Sequence, residues 1–363
     1  MKKIVGTIAA IALAASSAFA GANFGMGFNR GAIAPFVMEI DNGSTTMGMT
    51  NSAQWGWNGP RIAASFSGGN DVCGVVADVK FDGGEVKVND NAYIWVKPFD
   101  WMKLQLGQSF DNTLCSGVSY GSWNMFRAMK SVRGDDATFK RIGDISADMG
   151  KDESTPLTGA ILMLDPIEGL HIAAGFPIAY APGVSTYENI FKNIQVAAGY
   201  TIADVMQIKA QYIGKKDYIN AAVSLKAVEG MTLDVGAYFG TKSDMDIVVA
   251  AIWGMGFGGL GLNVNAEAVI PTVTDGKMTL TAGAGIDYDL GNGIGLGADY
   301  RFSQKFADGE KASMEIGAWV SKGFANGSVQ AGVQAFINDG PNGVSAAAHD
   351  LTLAVPVVIT VGF

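Results

Sequence analysis

The sequence predicts an all-β chain: a transmembrane antiparallel up-and-down β-barrel of about 18 strands, preceded by a cleaved export signal. Three observations carry this. Apolar residues recur at every second position through most of the chain, the alternating runs are nine to eleven residues long, and 49 glycines accompany 48% hydrophobic and only 16% charged residues. A period of two marks strands whose faces meet different surroundings. Soluble strands average about five or six residues, whereas a tilted strand crossing a bilayer needs about nine to eleven. Disordered chains combine abundant Gly with low hydrophobicity, so disorder is excluded.

The first element is an address label. Lys2 and Lys3 are the charged start, residues 4–15 the apolar stretch, and Ala18-Phe19-Ala20 a small-residue cleavage site, so residues 1–20 are expected to be a signal peptide. Residues 21–363 then form one barrel domain. Without the two lysines, 23 basic residues stand against 34 acidic ones, a formal charge of −11. Nucleic acid, which is held by Lys and Arg at its phosphates, is not an expected partner. Past residue 20 the longest apolar run, 247–255, has nine members, and a membrane helix needs about 20. Any crossing is therefore made by strands. Cys73 and Cys115 would meet an oxidising compartment; a disulfide and two isolated small residues are equal alternatives.

The strands are clearest beyond residue 190. Met206, Ile208, Ala210 and Tyr212 share one face, and Gln207, Lys209 and Gln211 the other. Met231, Leu233, Val235, Ala237 and Phe239 oppose Thr232, Asp234, Gly236 and Tyr238; Leu260, Leu262, Val264, Ala266 and Ala268 oppose Gly261, Asn263, Asn265 and Glu267. A soluble sandwich also alternates, but these apolar faces carry no charge, and a Lys or Arg facing lipid at midplane would cost about 2 to 4 kcal/mol. Counting back from the C-terminus, the short links 323–327, 291–293, 254–259, 228–230, 203–204, 165–169, 98–100 and 68–71 fall on one side of the membrane. The longer segments 41–59, 111–156, 180–192, 304–311 and 339–349 fall on the other. With a first strand near residues 30–40 the count is 18; sixteen is the alternative, because 29–40 and 61–67 alternate least clearly.

The last strand, about residues 350–363, places Leu351, Leu353, Val355, Val357, Ile359, Val361 and Phe363 on one face. Here the chain resembles bacterial outer-membrane porin-type β-barrels, whose final strand ends on an aromatic carboxylate. The resemblance implies an outer-membrane location, lipid as the surrounding partner, and Val357, Ile359, Val361 and Phe363 as the signal read by the barrel-insertion machinery. It also implies the homotrimeric assembly common among porins. Residues 28–35 (FNRGAIAP) and 92–98 (AYIWVKP) more loosely resemble major outer-membrane proteins of spirochaetes.

A barrel this wide is not filled by its own wall side chains and encloses water. Passive diffusion of small hydrophilic solutes and ions is thus the expected function; a surface adhesin or a structural barrel without a channel is the alternative. Segment 111–156 is far longer than the other links and carries a helix-compatible stretch, 123–132, with Arg127, Lys130 and Arg133 spaced by three. As in the porins the chain resembles, it is expected to fold inward as a constriction; an external solvated loop is the other outcome. The expected lining is Arg61, Lys80, Lys103, Lys209 and Lys226 in the first half and Asp234, Glu267, Asp287, Asp299 and Glu315 in the second, with Asp78, Lys277 and Arg301 as exceptions. That segregation suggests a transverse field, and the net charge favours cations. Tyr93, Trp95, Tyr238 and Trp319 on the inner face are too scattered for a sugar-guiding aromatic ladder.

No enzymatic site is expected. The glycine strings 254–259 and 293–298 fit a nucleotide-loop pattern but open no helix. His171 and His349 are the only histidines, and no metal-ligand spacing exists, so no cofactor is expected. His349, Asp350 and Ser345 are sequence neighbours, which does not make a triad.

Overall fold

The computed structural model describes residues 23–26, 29–50, 62–82, 85–115, 126–127, 142–146, 157–178, 191–203, 205–240, 246–339 and 349–363. The expected signal peptide, Arg61, Lys130, Arg133 and Ser345 lie outside the described residues.

The described residues form twenty strands. At the N-terminus come β1 (Asn23–Gly25), β2 (Asn29–Asp41) and β3 (Ser44–Thr50). There follow β4 (Ile62–Gly69), β5 (Cys73–Asp82), β6 (Glu85–Phe99), β7 (Met102–Ser109), β8 (Leu157–Leu164), β9 (Leu170–Pro177), β10 (Gln195–Ile202), β11 (Met206–Ile213), β12 (Tyr218–Leu225) and β13 (Met231–Gly240). The chain ends with β14 (Ile247–Phe257), β15 (Leu260–Ile270), β16 (Thr279–Gly291), β17 (Ile294–Lys305), β18 (Ser313–Phe324), β19 (Gly327–Asp339) and β20 (His349–Val361). From β4 to β20 every strand pairs antiparallel with its sequence neighbours in one sheet.

The N-terminal segment closes that sheet into a ring. β2 pairs with β20, placing Asn29 opposite Val361, while β1 pairs with β4, placing Asn23 opposite Ser67. Two hydrogen bonds stitch the seam: Phe363 N–H donates to Met26 O at 2.9 Å and Ala63 N–H to Asn29 Oδ1 at 2.8 Å. β1 and β2 thus act as two halves of one stave, and with β4 to β20 the ring has 18 staves. Closure pairs both ends of the β4–β20 sheet, and a sheet standing in hydrocarbon needs its edge strands paired.

The eight short links foreseen on one side all separate paired strands, as at Asn292–Gly293 between β16 and β17. The outer segment 41–59 differs from expectation. Asn42 and Gly43, with φ of 47° and 82°, make a tight two-residue hairpin that returns as β3 along β2; Asn-Gly is the favoured pair for such a turn. Prolines sit where the ladder breaks. The β2–β20 register shifts between Ile33 and Phe36, around Pro35, and Pro356 is skipped by both neighbours of β20. A residue without an N–H loses least at such irregularities.

The two faces of the wall match opposite surroundings. Ile208, Ile219, Val235, Val264, Ile286, Ile316 and Ile359 project from the outer face and are exposed. Lys209, Asn220, Asp234, Asn265, Glu267, Asp299, Glu315, Gln334 and Thr352, one residue out of phase with them, point inward and are buried. Phe99 and Trp101 stack 5.3 Å apart at one turn and stay exposed, as interfacial aromatics do. The described residues contain no helix long and apolar enough to cross a membrane. Cys73 and Cys115 form no disulfide.

Candidate functional site

The interior holds part of segment 111–156. Three described stretches of it, 111–115, 126–127 and 142–146, are packed against the inner wall. Leu114 and Ile145 lie in one cluster with Leu157, Ile161, Met163, Ala173 and Ala197, the inner faces of β8 to β10. Ile142 packs on Ala222, Val248 and Ala250 of β12 and β14. Phe126 sits with Ala34, Trp319, Ala354 and Val358, on β2, β18 and β20. The β8–β14 and β18–β2 arcs lie apart around the ring, and the described stretches of the segment reach the inner wall on both.

Glycines make the seats. A Cβ on Gly199 of β10 would come within 2.5 Å of Leu114, one on Gly175 of β9 would strike Ile145, and one on Gly317 of β18 would strike the carbonyl of Phe126. Polar bonds complete the docking. Lys209 Nζ donates to Leu114 O at 2.7 Å, Gly143 N–H to Gln211 Oε1 at 3.0 Å, and Ser146 N–H to Gln195 Oε1 at 3.0 Å. Asp111 exchanges backbone bonds with Ile145. Its carboxylate meets His171 Nε2 at 2.7 Å, and the other ring nitrogen, Nδ1, meets Asp165 at 2.7 Å. Burial pushes the Asp111 carboxyl up, but the bond and charge of His171 and two bonds from Thr113 outweigh it, holding it below the usual carboxylate range.

Arg127 is the segment's charged anchor. Its guanidinium donates from Nε to Asp299 at 3.1 Å, pairs with Asp287, and lies 5.3 Å from the centre of the Trp319 ring. Trp319 in turn lies over Gly297, where any Cβ would collide with it. Arg301 plays a parallel part from the wall itself, pairing with Glu315 at 3.5 Å and with Asp339. A buried carboxylate is tolerated only when paired in this way.

The wall residues expected from the sequence fall as follows. Lys80, Lys103, Lys209, Asp234, Glu267, Asp287, Asp299, Arg301 and Glu315 are on the inner face of β5, β7, β11, β13, β15, β16, β17, β17 and β18, respectively. Lys226 instead lies just past β12 and is exposed at its end. The parity of β12 is right for the interior, but the strand stops one residue short. The segregation of charge along the chain becomes lysines on one arc and carboxylates on another, and the carboxylate arc also receives Arg127 and Arg301. The Asp111–His171–Asp165 cluster was not foreseen, since these residues share no sequence spacing. His349 faces Glu39 at 3.8 Å, and the glycine strings 254–259 and 293–298 lie in strands and hairpin turns.

Neither a family model nor a curated protein matches the chain. Solved structures do. OpdL of Pseudomonas aeruginosa covers 94% of this chain, with 98% of its own length, at a TM-score of 0.57 and 11% identity. The outer membrane protein opdK of the same organism gives 0.55 at 12% identity over 94% and 98% of the two chains. An anion-selective porin from Comamonas acidovorans gives 0.50 at 13% over 94% and 99%. At such identities the likeness is one of fold: the chain has the porin-type outer-membrane β-barrel fold. The looser spirochaete resemblance of residues 28–35 and 92–98 gains no support from these neighbours.

Proposed function

We propose that the chain is a porin, a water-filled outer-membrane channel for passive diffusion of small hydrophilic solutes and ions. One observation carries the proposal: a closed 18-stave ring with an apolar exposed outer face has a polar, charged inner face along almost every stave. Such a wall is costly in hydrocarbon and unnecessary for a surface scaffold, but it suits water. In this reading segment 111–156 is the constriction, set across the lumen by Phe126 and Arg127 at one end and by Leu114 and Ile145 at the other. Planar-bilayer recording tests it. Purified protein should add stepwise conductance, lowered by neutral sugars small enough to enter and unaffected by larger ones. Silent membranes with correctly folded protein would reject it.

A further inference from the structure

The interior is not open evenly. On every strand from β8 to β20 at least one inward side chain is buried, whereas among the described inward side chains of β5 and β6 none is. Val76, Asp78 and Lys80 of β5 and Asn91, Tyr93 and Trp95 of β6 all point inward and stay partly exposed, as do Ser65 and Ser67 of β4. Ala63 of β4 is buried, so the lumen is filled against β8–β20 and open against β5, β6 and the Ser65–Ser67 part of β4. Trp95 takes up little of that space, because its indole lies flat on Gly74, where a Cβ would approach within 2.7 Å.

The open side is basic. Lys97 Nζ and Lys103 Nζ lie 5.9 and 5.3 Å from the centre of the Trp95 ring, and Lys80 stands further along β5. Two described carboxylates share that inner face of β4–β7: Asp78, which accepts from Asn91 Nδ2 at 2.6 Å, and Glu85, which is paired with Lys87 at 3.1 Å. Asp71 and Asp100 are exposed at the turns, where salt screens them within about 10 Å. Three wall carboxylates face the filled side and are buried: Asp234 is 3% exposed, Glu267 6% and Glu315 1%. Those nearest the segment and β17 are answered by Arg127 and Arg301.

We infer that the passage is eccentric, runs along β4–β6, and prefers small inorganic anions because Lys80, Lys97 and Lys103 line it, against the sign of the whole chain. This rests on the channel proposal above. Reversal potentials in a potassium chloride gradient test it: the unmodified channel should favour chloride, and Lys80→Gln with Lys97→Gln and Lys103→Gln should move the potential toward, or past, zero. Asp234→Asn with Glu267→Gln should leave it in place. A potassium-selective unmodified channel, or a shift produced by the acidic pair and not by the lysines, overturns the inference while leaving the channel standing; absence of any conductance rejects the channel instead. If the triple variant does not fold, thiol labelling decides. With Cys73 and Cys115 changed to Ser, Ser65→Cys should be modified faster by an anionic than by a cationic thiosulfonate, and Ser224→Cys by neither. Equal access at both positions overturns the eccentric path, and faster cationic labelling at residue 65 overturns the anion preference.

Discussion

A side chain that docks inside a barrel needs a gap in a wall whose strands stand only about 4.8 Å apart, and here the gap is a missing methyl group. Phe126 approaches the wall at Gly317 so closely that any Cβ there would overlap its carbonyl. Gly317→Ala should therefore overpack this contact by about 1–3 kcal/mol and lift residues 126–127 off β18. The expected record is a noisier channel with a raised mean conductance, while an Ala at Gly31, which has open space around its missing Cβ, should change nothing. A second prediction concerns pH. Asp111 is ionised more readily than a free carboxyl because His171 and Thr113 bond its charged form. A depressed value means the attachment is fully present above the unfolded-state value, about 3.9, and is lost as pH falls through the lower folded value. Conductance should stay level from neutrality to about pH 4 and change only below it; Asp111→Asn should show the low-pH behaviour already at pH 7.

Among the elements, what could be read in advance was whatever depends on period and local turn chemistry. Residues 206–212 and 260–268 alternate without a break, and the strands stand there with Lys209, Asn263, Asn265 and Glu267 inward. β3 was missed although its turn, Asn42-Gly43, is a strong hairpin signal, because Ser44 to Thr50 is mostly Thr, Ser, Met and Gly and shows little polarity contrast between faces. The inward segment was legible only as a length anomaly. Nothing local tells that Leu114 will meet Gly199 or that Arg127 will meet Asp287 and Asp299, since those pairs lie tens to more than a hundred residues apart and are joined by ring closure. Arg127 alone of the three expected basic residues can be placed. Deleting residues 124–148 removes Phe126, Arg127, Ile142 and Ile145 and leaves every strand intact, so single-channel conductance should rise with the barrel still folded. An unchanged conductance would mean that the segment does not limit flow.

The whole molecule depends on a seam where the two chain ends meet. Seventeen staves assemble through neighbours in sequence, a local and therefore readily made set of hairpins. The last closure joins residues more than 300 apart: β20 must find β2, and Phe363 N–H must reach Met26 O. Until that contact forms, β20 and β4 each present an unpaired edge, which in hydrocarbon costs several kcal/mol for each unsatisfied backbone group and in water invites aggregation. The ring of Phe363 is exposed to 76%, so it adds little to packing within the chain, and the part proposed for it is that of an assembly signal. Removing Phe363 should then separate two effects. In detergent the truncated chain should still fold to a heat-modifiable barrel, because the β2–β20 ladder from Asn29 opposite Val361 to Ile40 opposite Leu351 remains. In cells the amount inserted into the outer membrane should drop sharply, with the remainder degraded or aggregated in the periplasm. Equal insertion of the two chains would show that the C-terminal residue serves the seam alone, and failure to fold in detergent would show that its one backbone bond closes the ring.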